Sequence, residues 1–249
     1  MSKISNSLGR SGNPALTSEV FNKSVTSTGE VMTLQGTVNK TAFSLFLLIS
    51  AGYFTFSPDY YWLIWPGFIG GLIVALITIF KKEWAPVTVP IYAVLEGLAL
   101  GGVSFLYGDA FYPGIVSQAI LLTVSIFVAL LFAYKTRIIK PTENFKLGIF
   151  AATGGIFLVY IASWIMSIFG ASMPIMNSAN GDWISIGFSL FVVVIAALNL
   201  VLDFDFIEEG AEKGAAKYME WYGAFGLLVT LVWLYLEILR LLAKLYSRR

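Results

Sequence analysis

The feature that most restricts the fold of this chain is a series of seven long apolar segments. They cover residues 41–56, 61–80, 87–107, 113–134, 146–169, 183–203 and 222–243. Each is close to the roughly 17–25 residues that an α-helix needs to cross the hydrocarbon of a bilayer. A membrane β-barrel would instead show short segments of alternating polarity, which this sequence lacks. The pattern predicts an all-α membrane protein, a bundle of seven transmembrane helices.

Composition indicates the same class and excludes several kinds of chemistry. Hydrophobic residues make up 57% of the 249 residues and charged residues only 12%, whereas soluble domains have about 45–50% and about 25%. Because the chain has no Cys and no His, disulfides, thiolate metal sites and imidazole bases are excluded. A metal would be a hard cation with oxygen ligands, so Ca²⁺ is favoured over Zn²⁺. The net charge of +1 does not indicate a nucleic-acid partner, and we expect no cofactor.

The basic residues divide the chain and give it an orientation. Residues 1–40 are polar and lack the apolar stretch of a secretory signal peptide, so we interpret 1–40 as a tail and 41–249 as the transmembrane domain. Lys and Arg are concentrated in the tail and in alternate loops, at 81–82, 135–146 and 213–217. The loops near 57–60, 108–112 and 170–182 carry only acidic charges. The positive-inside rule therefore places the N-terminus in the cytoplasm.

The C-terminus does not fit this pattern. Seven crossings would place it outside, yet it carries the basic residues Arg240, Lys244, Arg248 and Arg249. Either the last segment is unusual, re-entrant or centrally buried, or the earlier loops determine the orientation against the charge of the C-terminus.

Glycines recur four residues apart in the second and third segments, at Gly67 and Gly71 and at Gly97 and Gly101. This spacing clears one face of a helix and lets two helix backbones approach closely. We interpret both pairs as packing within one bundle rather than as dimerisation motifs.

Glu96 is the acidic residue placed deepest in an apolar segment. It lies near the middle of the third segment, between Leu95 and Gly97. An ionised side chain at the bilayer centre costs about 2.5–3.5 kcal/mol on insertion scales, so Glu96 should face other helices. Both a functional role and a structural hydrogen bond to a neighbouring helix agree with this placement.

A cluster of acidic residues follows the sixth segment, where Asp203 is still flanked by Leu202 and Phe204. Asp203 and Asp205 are about 200° apart around a helix, so a regular helix cannot turn both to one site. Asn199 and Asp203, at i and i+4, share a face. We expect this pair to point inward against the final helix and Asp205 to lie at the exit. The remaining acids are expected to be solvated: Glu208, Glu209, Glu212 and Glu220.

The last segment carries a charged pair close to its C-terminal end. Glu237 and Arg240 are at i and i+3 with the acid first, which favours a local ion pair. Thr230 is two turns before Glu237 on the same face. Glu237 therefore either pairs with Arg240 near the interface or belongs to a polar path through the membrane.

Several motifs in order resemble those of the transmembrane Bax inhibitor motif family, also called Bax inhibitor-1 or YccA-like. The stretch Leu200–Ile207 is similar to the end of the family's sixth span, and Gly223–Leu242 to its closing helix. Arg10–Leu16 and Ala93–Leu98 are similar to features of a bacterial branch. The resemblance implies six helices around a hydrophobic last helix, in the bacterial cytoplasmic membrane.

The resemblance also implies a pH-sensitive Ca²⁺ leak, in which two aspartates on the last two spans share a proton and control opening. Asp203 corresponds to the first aspartate and would be a transient Ca²⁺ ligand. The second position falls on Thr230, or on Glu237 if the last helix is shifted by two turns. Close carboxylates in a low dielectric cannot all be ionised, so proton uptake would bias the bundle between two states. The candidate gating residues are Asp203, Glu96, Glu237 and Asp205, with Asn199 and Thr230 beside them.

The sequence also bears on two other classes of function. A non-conducting protein could bind and modulate a membrane protease or stress-response complex, as the resemblance to some bacterial members suggests, with the polar tail as the binding element. Intramembrane aspartyl proteolysis would need two carboxylates, but the chain lacks the Gly-x-Gly-Asp signature of such proteases. We therefore expect that the protein is not an enzyme, and that its partners are the lipid bilayer, protons and Ca²⁺.

Overall fold

The structure, a computed structural model, describes residues 29–248 and consists almost entirely of helices. The seven long helices are α1 (Leu34–Thr55), α2 (Ile64–Phe80), α3 (Ala85–Ala110), α4 (Ile115–Lys135), α5 (Glu143–Ile168), α6 (Trp183–Glu212) and α7 (Met219–Ser247). No β-strand occurs within 29–248, where Val31 and Ala216 form an isolated bridge. The family-like motif at Arg10–Leu16 lies outside the described residues.

Six helical stretches, those containing α2 to α7, are long and apolar enough to cross a membrane. The prediction of an all-α, multi-pass membrane protein is therefore confirmed. The helix α1 is more polar than these six stretches, because Gln35, Asn39 and Lys40 lie in its first turns. It also begins at Leu34, inside the stretch interpreted as tail, since Thr33 caps it by accepting a hydrogen bond from Gly36 N at 3.0 Å.

The helix α6 is longer than its apolar segment predicts. The segment ends at Asp203, but the helix continues to Glu212. Phe204, Phe206 and Ile207 are all buried, so the residues beyond Asp203 still pack against neighbouring helices. Asp203 therefore lies well inside a helix rather than at the end of one.

Two helices each contact four others: α7 contacts α1, α3, α4 and α6, and α3 contacts α1, α2, α4 and α7. Two helices are more peripheral. The helix α2 packs chiefly on α3, and α5 packs chiefly on α6. Much of the outer surface of both is exposed and apolar, as expected for helices that face lipid.

The two ends of α7 lie at opposite ends of the bundle. Near its start, Ala215 O accepts a hydrogen bond from Met32 N at 2.7 Å, beside the beginning of α1. Near its end, the Tyr246 ring lies 5.1 Å from that of Tyr112, just before α4. The last helix therefore extends from one end of the bundle to the other. We call these the N-terminal and C-terminal ends of the bundle.

The paired glycines bring α3 close to two neighbours. A Cβ atom added to Gly97 would lie 2.3 Å from Leu48 O of α1, and one added to Gly101 would lie 2.2 Å from Gly52 O. A Cβ added to Gly67 of α2 would lie 2.7 Å from Leu95 O. These glycines therefore serve packing within the chain, as their spacing predicts.

We predict that Gly97→Ala destabilises the bundle although alanine is the better helix former. The added methyl group must push α1 and α3 apart, at a cost of about 1–3 kcal/mol. The matched control is Gly155→Ala in α5, where no atom lies within 4 Å of the added Cβ. Thermal unfolding in detergent should show a lower Tm for Gly97→Ala and an equal or higher Tm for Gly155→Ala. Equal Tm values for the two variants would contradict the close contact.

Candidate functional site

Asp203 and Asn199 are buried on one face of α6. Asp203 has no exposed surface and Asn199 is 2% exposed. The Asn199 amide donates hydrogen bonds to Thr153 Oγ1 of α5 and to Ile195 O, both at 2.9 Å. The Asn199 amide therefore bonds α5, whereas its position predicted that it faces the final helix.

The surroundings of Asp203 follow from the antiparallel packing of α6 and α7. A Cβ atom added to Gly223 would lie 3.1 Å from Ile207 Cγ1, so these two residues lie at the same height along the paired helices. Asp203, one turn before Ile207, is then level with a point one turn after Gly223. By helical rise, Thr230 is about 4.5 Å beyond that point and Glu237 about 15 Å beyond it. Along the helix axis, Thr230 is thus closer than Glu237 to the height of Asp203.

Glu237 belongs to a separate polar group nearer the C-terminal end. Its Oε1 accepts hydrogen bonds from Tyr160 Oη at 2.6 Å and from Arg240 Nη1 at 2.7 Å. Glu237 is 2% exposed. The ion pair with Arg240 that the spacing predicts is therefore present, and Tyr160 of α5 is its third member.

Asp205 lies on the other side of α6, at the N-terminal end of the bundle. Its Oδ2 is 2.6 Å from Nζ of Lys146, whose side chain is 7% exposed. Glu208 is half-buried, accepts a hydrogen bond from Tyr134 and lies 3.6 Å from Arg137. Asp205 and Glu208 line a cavity of about 240 Å³ together with Tyr134 and Arg137, so Asp205 is ion-paired at a polar recess.

Three polar residues of α5 connect these groups. Lys146 contacts Asp205, Thr153 contacts Asn199, and Tyr160 contacts Glu237. They recur every seven residues and therefore lie on one helix face, with about 10.5 Å of rise between successive members. We call Lys146, Thr153 and Tyr160 the α5 polar stripe. This stripe was not predicted, although its spacing of seven residues is visible in the sequence.

Glu96 lies in a different part of the bundle. It is 6% exposed, and a Cβ added to Gly71 of α2 would lie 2.9 Å from Glu96 Oε2. Its carboxylate therefore reaches the contact between α2 and α3, while Asp203 lies on α6. Among the described residues, no group of three or more His, Cys, Asp or Glu side chains is placed to hold a metal ion.

Glu220 is buried, not solvated as predicted. Its Oε1 accepts hydrogen bonds from Thr33 N at 2.9 Å and Thr33 Oγ1 at 2.8 Å. Lys40 contacts its Oε2, and Lys217 lies 3.1 Å from Oε1. This group, the Glu220 clip, joins the start of α1 to the start of α7. The prediction for Glu209 is also wrong, since Glu209 is 8% exposed and pairs with Lys213.

Lys244 is a further buried charge that was not predicted from the sequence. It has no exposed surface. Its ammonium donates hydrogen bonds to Ile175 O, to Ser185 O at 3.2 Å and to Ser189 Oγ at 2.8 Å. The guanidinium of Arg248 lies 3.3 Å from the centre of the Trp183 ring. The basic end of α7 is therefore held by α6 and the loop before it.

The fold and these groups define a class: a multi-pass helical membrane protein with charged and polar side chains buried between its last three helices. A sequence model of the family described as Bax inhibitor 1 like matches residues 13–247. The chain therefore belongs to this family, as its motifs imply. Among curated proteins, none matches the sequence.

We predict that Glu220→Gln lowers the thermal stability of the protein. The amide keeps the shape of the side chain but cannot form the ion pairs with Lys40 and Lys217, and hydrogen bonds to charged groups contribute about 1.5–3 kcal/mol each. Exposed Glu212 provides the control, since its replacement by Gln should change stability by less than about 0.5 kcal/mol. If both variants unfold at the wild-type temperature in detergent, the Glu220 clip does not stabilise the fold.

We predict that Lys244→Met loosens the loop between α5 and α6 without unfolding the bundle. Methionine fills the space but leaves Ile175 O, Ser185 O and Ser189 Oγ without the ammonium donor. Amide hydrogen exchange in residues 171–182 should become about tenfold faster, equal to about 1.4 kcal/mol of local stability. Exchange in this loop should not change in Lys135→Met, which removes an exposed lysine at the other end of the bundle. Unchanged exchange in Lys244→Met would show that Lys244 does not fix the loop.

Proposed function

We propose that this protein is a cation leak, permeable to Ca²⁺, whose opening depends on the protonation of Asp203. The observation that carries the proposal is the complete burial of Asp203 inside α6 of a Bax inhibitor 1 like membrane bundle. An ionisable side chain at such a position is costly, and inside membrane proteins it commonly marks an ion or proton pathway.

The path that we propose follows the junction of α5, α6 and α7. Polar side chains lie at three successive levels of it, one for each member of the α5 polar stripe. The cavity of about 240 Å³ next to Asp205 is its opening at the N-terminal end. Carboxylate, hydroxyl and amide oxygens are ligands suited to Ca²⁺, and sites that bind weakly at several levels allow an ion to leave as well as enter.

Gating in this proposal comes from one carboxylate rather than from a pair. The candidate on α7 closer to the height of Asp203 is Thr230, which has no charge, and Glu237 is paired with Arg240. Protonation of Asp203 removes a buried charge between α6 and α7 and changes which of their contacts are favourable. Such a change biases a bundle that has two arrangements.

We also propose an orientation, with the N-terminal end of the bundle in the cytoplasm and α7 as the central helix of the seven. The N-terminal end carries the described basic residues of four loops or helix starts, among them Lys40, Lys82, Arg137 and Lys217. The positive-inside rule supports this orientation. The contacts of α7 with four other helices support its central position.

The test measures Ca²⁺ entry into proteoliposomes that contain a Ca²⁺ indicator. Wild-type flux should exceed that of empty liposomes and should change from about pH 5 to about pH 8, a range in which buried carboxylates can change charge. Asp203→Asn cannot titrate, so its flux should be independent of pH. Tyr160→Phe removes one hydroxyl from the proposed path and should lower the flux while the pH dependence remains.

Asp109→Asn is the control, because Asp109 is an exposed acid outside the α5–α6–α7 junction. Its flux and pH profile should match those of the wild type. Wild-type flux equal to that of empty liposomes would refute conduction and favour a non-conducting regulator of a membrane complex. A wild-type pH profile in Asp203→Asn would refute gating by this residue.

A further inference from the structure

A second cavity in the described bundle lies away from the proposed ion path. It encloses about 540 Å³ between α1, α3, α4 and α7. Its floor consists of side chains that are each at most 9% exposed: Leu100, Leu231, Val232 and Tyr235. Its size falls within the range of about 300–1,000 Å³ typical of sites for small molecules.

The walls of this cavity offer an occupant almost no polar partner. Ser104 Oγ donates a hydrogen bond to Leu100 O at 2.6 Å and forms a second hydrogen bond with Tyr235 Oη at 2.6 Å. The Thr123 hydroxyl bonds Ala119 O at 2.8 Å. Since a buried water needs two to four polar partners, an apolar cavity of this kind is suited to an apolar occupant.

The cavity opens sideways, between α1 and α4, to the apolar outer surface of the bundle. The residues at this opening are 49–86% exposed: Ile49, Tyr53, Ile120 and Val124. The stretch containing α4 is one of the six that can cross a membrane. The mouth is therefore continuous with the lipid-facing surface, and the molecules next to it in a membrane are lipids.

The depth of the cavity matches one leaflet. It begins beside Pro113, just before α4, and its wall on α4 extends from Val116 to Phe127. These two residues are separated by a rise of about 16 Å, whereas half of the hydrocarbon core is about 15 Å thick. An acyl chain that enters from the C-terminal end of the bundle would follow the whole cavity.

We propose that this cavity binds one acyl chain of a phospholipid from the leaflet at the C-terminal end of the bundle. The chain covers the floor on α3 and α7 and fills the gap between α1 and α4. This site is independent of the proposed ion path, because none of the residues of the α5 polar stripe lines it.

The experiment uses the full-length protein in nanodiscs of phosphatidylcholine, a fraction of which carries a photoreactive diazirine on its acyl chain. After illumination, mass spectrometry locates the labelled residues. Label should appear on the floor residues Leu231, Val232 and Tyr235, each of which is at most 9% exposed. Label confined to the exposed faces of α2, α4 and α5 would mean that lipid binds only at the outer surface and would overturn the proposal. An unlabelled floor that is covered by a helix of another protein would overturn it as well.

Two tryptophan variants of α4 separate the cavity from the surface. Val116→Trp fills the cavity and should reduce labelling of the floor severalfold, while Leu121→Trp, at a 66% exposed position outside it, should not. If Val116→Trp does not fold, Ser117→Trp at the exposed mouth takes its place. Floor labelling equal to the wild type in the folded cavity variant would overturn the proposal. Ca²⁺ flux plays no part in this measurement, so its outcome does not depend on the proposed function.

Discussion

The structure depends on one constraint: polar groups inside a membrane bundle must find their partners within the protein, because hydrocarbon supplies none. The interior of α6 and α7 carries Asn199, Asp203, Glu237 and Lys244, all nearly or completely buried. Some of their partners come from elements at the edge of the bundle: Thr153 and Tyr160 of α5, and Ile175 of the loop before α6. The helix α5 is the clearest case, since it packs chiefly on α6 and meets three polar groups through one stripe. These polar contacts, together with the apolar packing of Ile149 and Ile156 against α6, hold α5 in place.

The same constraint explains how the last helix crosses the bundle with a basic end on the side where other loops are acidic. Lys244 is enclosed by carbonyl and hydroxyl oxygens, and Arg248 lies on the Trp183 ring. At the opposite end the Glu220 clip holds the first turn of α7 to the start of α1. Both ends of α7 are thus held by charge, while its middle packs through apolar side chains.

Much of the fold could be predicted because transmembrane segments are defined by length and apolarity, both of which are local properties. All seven predicted segments correspond to helices, and the glycines at Gly97 and Gly101 mark a real close contact. The candidate site was harder to predict. Glu209 and Glu220 looked solvated beside lysines, yet both are buried, because burial depends on which helix packs over a residue. The α5 polar stripe was visible as a spacing, but only its partners on α6 and α7 give that spacing a meaning.

The sequence by itself determined the membrane class, the number and approximate bounds of the helices, the family and the prominence of Asp203, since each follows from composition, run length or a local motif. Only the tertiary structure decided which buried charges meet. It separates Glu96 from Asp203 and pairs Asp205 with Lys146 and Glu237 with Arg240 and Tyr160. It also places Thr230 closer than Glu237 to the height of Asp203 along the helix axis. The physical reason is that the face a helix turns to its neighbours is set by packing over the whole bundle, and almost uniformly apolar helices carry little local signal of that direction.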